Sequence, residues 1–320
     1  MAPRRPLPIA ATVASLLVSS VAASSAFAQE ATRSLDLAVN HVGLSIGDSR
    51  EITGVRINFR DTRLERVDGV NLTIWKPTTS SHGTVRGVAL GVPFAGADHI
   101  VGVAIAGLGI EAQKSLRGIS VSGIGAGAGD VVSGIHLAGI GLGSGGKVEG
   151  IAIGGVGIGA GGSLRGLMIG GVGAGAGGNA TGIVVGGVGV GVGGDFTGIA
   201  IGGVGVGTAG TVHGLAIGGV GVGATRIRGV AFGGIGVGGE NLDGLMLSPI
   251  WVKIAKNGTM HGVAISAFND ARNGTQRGLM IGLLNLADHL DGVQIGVINI
   301  ARHNPDGRKV LPIVNWNFSK

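Results

Sequence analysis

The chain has 320 residues, of which 69 are glycine and 8 proline, with no cysteine, 3% aromatic residues and a formal net charge of +6. The missing cysteine excludes a disulfide framework, a lipidated N-terminal Cys and thiolate zinc sites, and a charge spread without any Lys/Arg run excludes a nucleic-acid footprint. Glycine without a three-residue period excludes collagen, and the Ile and Val between the glycines supply apolar surface that a disordered tract lacks.

Residues 1–28 read as a secretory signal: Arg4 and Arg5 begin it, an Ala/Leu/Val-rich stretch runs through Val21, and Ala26-Phe27-Ala28 precedes Gln29 as a cleavage site. Removing it leaves a net charge of +4. Residues 29–101 then form irregular N-terminal repeats and a cap, 102–243 a regular glycine-rich array, and 244–320 irregular C-terminal repeats and a cap.

A unit beginning Gly-aliphatic-x-aliphatic-Gly organises this division. It starts at Gly118, Gly134, Gly150, Gly166, Gly182, Gly198 and Gly214 with an unbroken 16-residue spacing. Outside that block the starts are Gly54, Gly69, Gly87 and Gly102, then Gly229, Gly244, Gly262, Gly278 and Gly292, at spacings of 14 to 18. The flanks hold most of the charge and all three tryptophans, Trp75, Trp251 and Trp316. A period of this length with atypical ends predicts a stack of supersecondary units whose terminal members cap the core.

Counting from each repeat glycine as zero, aliphatic residues recur at +1 and +3 (Ile151 and Ile153; Ile183 and Val185) and at +6 and +8 (Val156 and Ile158; Val188 and Val190). Each pair alternates with period two, as in a strand. Between the pairs the parity changes across a Gly-Gly such as Gly154-Gly155 or Gly186-Gly187, and a corner there would turn both pairs into one interior. A third inward column is read at −2, including Leu116, Val132, Val148, Leu164, Phe196 and Val212. Polar residues such as Asn179, Thr181, Asp195 and Thr197 mark turns.

The fold class that follows is all-β, a β-solenoid of stacked coils of about 16 residues. Its sixteen repeat starts imply a rod of roughly 75 Å. In-register stacking makes the −1 residues vertical neighbours, so that Glu149 meets Arg165, Asp243 lies between Arg228 and His261, and Arg277 meets Asp291. Positions +5, +7 and +9 face outward as a flat glycine face suited to a protein or envelope partner, and self-association is a further use. The alternative architecture is an outer-membrane β-barrel with one strand per repeat, which the alternation of Val314, Trp316 and Phe318 favours and the absence of tyrosine opposes.

The C-terminal units read Gly278-Leu-Met-Ile-Gly-Leu-Leu-Asn285 and Gly292-Val-Gln-Ile-Gly-Val-Ile-Asn299, and the chain closes with Leu311-Pro-Ile-Val-Asn315. Over about the last 60 residues this resembles the bacterial surface-repeat proteins known from Leptospira and other Gram-negative lineages, whose unit is roughly G-x-Q-I-G-x-x-N. Asn269, Asn285 and Asn299 fall on the family's asparagine position, whereas the glycine-rich centre lacks it. The resemblance implies an exported or envelope protein without assigned catalytic activity.

No residue is assigned a catalytic, cofactor-binding or metal role. Gly141 to Lys147 fits G-x-x-x-x-G-K, but Val148 replaces the hydroxyl that would hold Mg²⁺. Asp130 and Asp195 do not recur at a fixed offset, as a calcium array requires. Of the histidines, His41, His82, His99, His136, His213, His261, His289 and His303, most are read as exposed turn residues, with His261 beside Asp243 the one pair placed to meet across coils. The run Arg60 to Asp68 alternates in sign and is read as solvated surface. The chain is therefore expected to be a non-enzymatic structural or interaction protein at the cell surface or in the periplasm.

Overall fold

The computed structural model describes residues 34–77 and 83–318, and the expected signal segment lies outside them. Among the described residues 77% are strand and none is helical, and they wind into a β-solenoid of about 14 turns of roughly 16 residues. Coils pair in parallel and in register: Val148 stands against Leu164, Gly150 against Gly166 and Ile153 against Ile169. Pairing continues through the bends, where Val188 N donates to Val172 O at 2.6 Å and Val204 N to Val188 O at 2.6 Å. A membrane barrel with one strand per repeat would place neighbours antiparallel, so that alternative does not describe this fold.

One central coil shows the plan. The strand Lys147–Gly154 bends at Gly150, a corner follows at residues 155–156, the strand Gly157–Ala160 comes next, and a last corner occupies residues 161–162. The bend at the repeat glycine has a definite cause. From Gly54 to Gly292 every repeat glycine has φ between +106° and +157°, a region that side chains other than glycine rarely enter.

That bend corrects the assignment of inside and outside. Positions −1, 0 and +1 wrap around the outside of the corner, so −2 and +2 point inward. The buried columns are therefore −2 (Val148, Leu164, Phe196), +2 (Ala152, Met168, Val184, Ala200), +8 (Ile158, Val190, Val206) and +10 (Ala160, Ala176, Val192). The +1, +3 and +6 residues expected inside are turned outward; Ile183 is 42% and Val188 49% exposed. Three short segments enclose a narrow interior, which accepts Ala, Val and Met from +2 but has no room for Ile columns at both +1 and +3. The corner at Gly-Gly is present as expected, and glycine is needed there because a Cβ on Gly186 or Gly187 would overlap a carbonyl oxygen of a neighbouring segment.

Both ends close with antiparallel strands. Ser34–Val39 folds back on Val42–Gly47 through Asn40 and His41, whose φ of 51° and 64° suit a two-residue hairpin turn. At the other end Val310–Asn317 pairs antiparallel with the long strand Phe268–Ala301. Pro312 lies in this edge strand, where the missing N–H interrupts the row that another chain would need for pairing.

Candidate interaction faces

The three bends give each coil three outward surfaces of different chemistry. The first carries −3 and −1. Here the expected register is found: Arg228 stands against Asp243, Asp243 against His261, and Glu149 against Arg165. Arg228 Nε is 3.7 Å from Asp243 Oδ2 and Arg277 Nε 3.9 Å from Asp291 Oδ2, while Glu149 draws Lys147 Nζ of its own strand to 2.9 Å. Asn179 and Asp195 secure the adjoining corner by accepting the backbone N–H of Asp195 (2.9 Å) and Thr211 (2.7 Å), each one coil further on.

The second surface carries +1 and +3. From the Gly54 coil to the Gly292 coil both positions are Ile, Val or Leu, with Phe232 the one aromatic residue. The +6 column, Ile124, Ile140, Val156, Val172, Val188, Val204, Val220 and Ile235, runs along its border at 44–50% exposure. The result is a continuous aliphatic face along the rod. At its C-terminal end Ile265, Ile281, Leu283, Ile295, Val297 and Ile313 shape a shallow apolar cleft of about 540 Å³.

The third surface carries +7 and +9 and is glycine from Gly125 to Gly238, as expected, whereas +5, expected on the same face, falls in the Gly-Gly corner, as at Gly155 and Gly187. Part of this face is not required by the coil: a Cβ on Gly159, Gly191, Gly207 or Gly223 would meet no atom within 4 Å, whereas on Gly127, Gly175 or Gly205 it would come within 3.1–3.2 Å of a carbonyl oxygen of the next coil. The fold also accepts side chains in the same columns, since Glu111 stands in register with Gly127, and Trp251 and Lys253 with Gly236 and Gly238.

Two polar clusters inside the ends were not legible beforehand. In the N-terminal coils Arg56 occupies the inward +2 position, fully buried. It donates to Asp61, to Asn71 Oδ1 at 2.9 Å, to Asp48 Oδ1 at 2.9 Å and to Ser49 Oγ at 3.2 Å. Asp61 also accepts from Asn58 Nδ2 at 2.8 Å and Thr73 Oγ1 at 2.7 Å, so the segment read as solvated surface contributes a buried carboxylate. Burial opposes the charge on Asp48, but hydrogen bonds from the Thr62 side chain and backbone, the Arg56 guanidinium and the Arg63 backbone outweigh it and hold its carboxyl below the usual range. A buried ion network fully supplied with partners closes this end with polar groups.

At the C-terminal end Asn269 Nδ2 donates to Asn285 Oδ1 and Asn285 Nδ2 to Asn299 Oδ1, both at 2.7 Å, in a buried ladder. Asn269 stands in register with Val252 and so takes over an inward apolar column. Gln294 Nε2 likewise donates to Gln276 Oε1 at 2.9 Å. The 16- and 14-residue spacings of Asn269, Asn285 and Asn299 were the signal for this ladder.

The histidines separate. His41, His261, His289 and His303 are exposed, His82 lies outside the described residues, and His99 and His213 are half-buried. His136 corrects the expectation: it fills the inward +2 column at 0% exposure, with Nδ1 2.8 Å from Ser120 Oγ and no partner on Nε2. Burial pushes its imidazole pKa down, against a hydrogen bond with the Ser133 backbone. The histidines that meet are His289 and His303, stacked with ring centroids 4.2 Å apart. Gly141–Ser144 and Lys147–Gly154 are both solenoid strands, so the G-K match is not a loop opening a helix. Among the described residues no three His, Cys, Asp or Glu side chains form a group able to hold a metal.

These features define a parallel β-solenoid repeat protein whose faces are polar, aliphatic and bare. No family model, curated protein or solved structure matches the chain.

Proposed function

We propose that this chain is an exported, non-enzymatic structural and interaction protein of a bacterial envelope, placed at the cell surface or in the periplasm, and that it belongs with the surface-repeat proteins its C-terminal units resemble. The observation carrying the interaction role is the aliphatic face: two columns of Ile, Val and Leu stay outside through the whole stack. Monomeric soluble proteins rarely expose contiguous apolar patches beyond a few hundred Å². Arg4, Arg5, the apolar stretch behind them and Ala26-Phe27-Ala28 support export.

Fractionation of a Gram-negative host expressing the tagged full chain tests this reading. The protein is expected in the periplasmic, envelope or medium fraction with Gln29 as its first residue by mass spectrometry. A chain retained in the cytoplasm and still beginning at Met1 overturns it.

A further inference from the structure

We infer that the aliphatic face is the interface of a homodimer, in which the +1 and +3 columns of two copies pack sheet to sheet. This rests on the interaction role proposed above and names the partner. The first argument is area. With about 14 coils at ~4.8 Å each and four residues across at ~3.3 Å, the face measures roughly 65 Å by 13 Å. Closing two such faces removes on the order of 1,700 Å² from water over both copies, within the range of stable interfaces.

The second argument is composition. No polar or charged residue interrupts +1 or +3 from Val55 to Ile295, so no buried charge has to find a mate, and the character is that of a domain core cut in half, as in obligate homodimers. The third is shape. Both copies carry ridges at the same coil spacing, and two β-sheets pack about 10 Å apart with strands within about 30° of alignment. The coil already contributes one such layer, with its peptide groups paired to neighbouring coils.

A lipid surface fits less well. The −1 column beside the face mixes Glu149, Asp243 and Asp291 with Arg117, Arg165, Arg228 and Arg277, whereas binding to anionic membranes calls for an excess of cations. Of the three tryptophans only Trp316 joins the +1 and +3 columns, at their capping end in register with Val293, whereas a membrane-seated face calls for such residues at the interface along its length.

The test is sedimentation and light scattering of the mature chain in detergent-free buffer at micromolar concentration. Wild type is expected at two chains per particle. Ile151→Lys combined with Ile183→Lys should give single chains, with strand circular dichroism unchanged. Should the lysines disturb folding, Ile151→Thr with Ile183→Thr keeps β-branched residues and should still weaken association at least tenfold. Thr197→Lys on the polar face and Gly191→Ser on the glycine face should leave the dimer intact. A wild-type monomer, a particle of any other stoichiometry, or a dimer that survives the Ile variants but is lost with Gly191→Ser overturns the proposal. Wild-type monomers that float with phosphatidylglycerol vesicles overturn it in favour of lipid. Because these readings use purified chain, they are independent of where fractionation finds the protein.

Discussion

Ala180 and Phe196 stand in register on consecutive coils, both at the inward position two residues before the repeat glycine and each only 1% exposed. The large ring is accommodated because the coil beneath it supplies a methyl group. Phe196→Ala should therefore leave a void and cost about 3–5 kcal/mol, and Ala180→Phe should overpack the same level. The double variant, which exchanges the two, should recover part of the loss. Denaturant unfolding of the four proteins measures the coupling, and strictly additive losses would show that the two sites do not share one packing level.

Val184 and Val188 lie four residues apart with opposite fates. Val184 is fully buried and Val188 about half exposed. Val184→Asp should bury an unpaired carboxylate and destabilise by about 3 kcal/mol or more. Val188→Asp should cost no more than about 1 kcal/mol. Thermal melts of the two variants check the order, and a larger loss at Val188 would reverse the assignment of faces.

Glycines of one coil should differ as sharply. Gly182 has φ +115°, and a Cβ there would overlap the carbonyl oxygen of Gly166, so Gly182→Ala should destabilise by several kcal/mol. Gly191 lacks a positive φ and faces open space. Gly191→Ala should be neutral or add about 0.4–1 kcal/mol by restricting the unfolded chain. Equal losses in calorimetry would show that the bare face is required by the coil after all.

His136 makes stability depend on pH. Its imidazole pKa is lowered in the fold from an ordinary 6.5, by burial first, so below that value the unfolded chain binds the proton that the native chain excludes. Stability from the neutral ring is complete above 6.5 and is lost as pH falls from there toward the folded-state value. The melting temperature should decline between pH 7 and pH 5 and decline less in His136→Ala. Asp48, lowered from 3.8, adds a separate loss only near and below that pH. Identical slopes for wild type and variant would remove His136 as a source.

The period, the parallel register and the −2 column were legible because repetition exposes them. Leu116, Val132 and Val148 recur at one offset, and a column of that kind can stack only on itself. The −1 neighbours Arg228, Asp243 and His261 followed from the same register. Positions +1 and +3 were not legible in this way. Ile and Val favour strands on either side of a sheet, so Ile151 and Ile153 carry the same signal buried or exposed. Arg56, Asp61 and His136 look like surface residues one at a time; their burial depends on partners, such as Asn71 and Ser120, that come from other coils.

The amino-acid sequence by itself determined that this chain is a stack of sixteen-residue β coils with altered ends, because the spacing of glycine and aliphatic residues admits few other ways to pair a backbone. Which side of each strand became the interior was decided only in three dimensions. Every repeat glycine turns the chain through a positive φ, and that one backbone choice sends Ala152, Val184 and Ala200 into a narrow core. It leaves the larger aliphatic side chains beside them outside, as a face still to be covered.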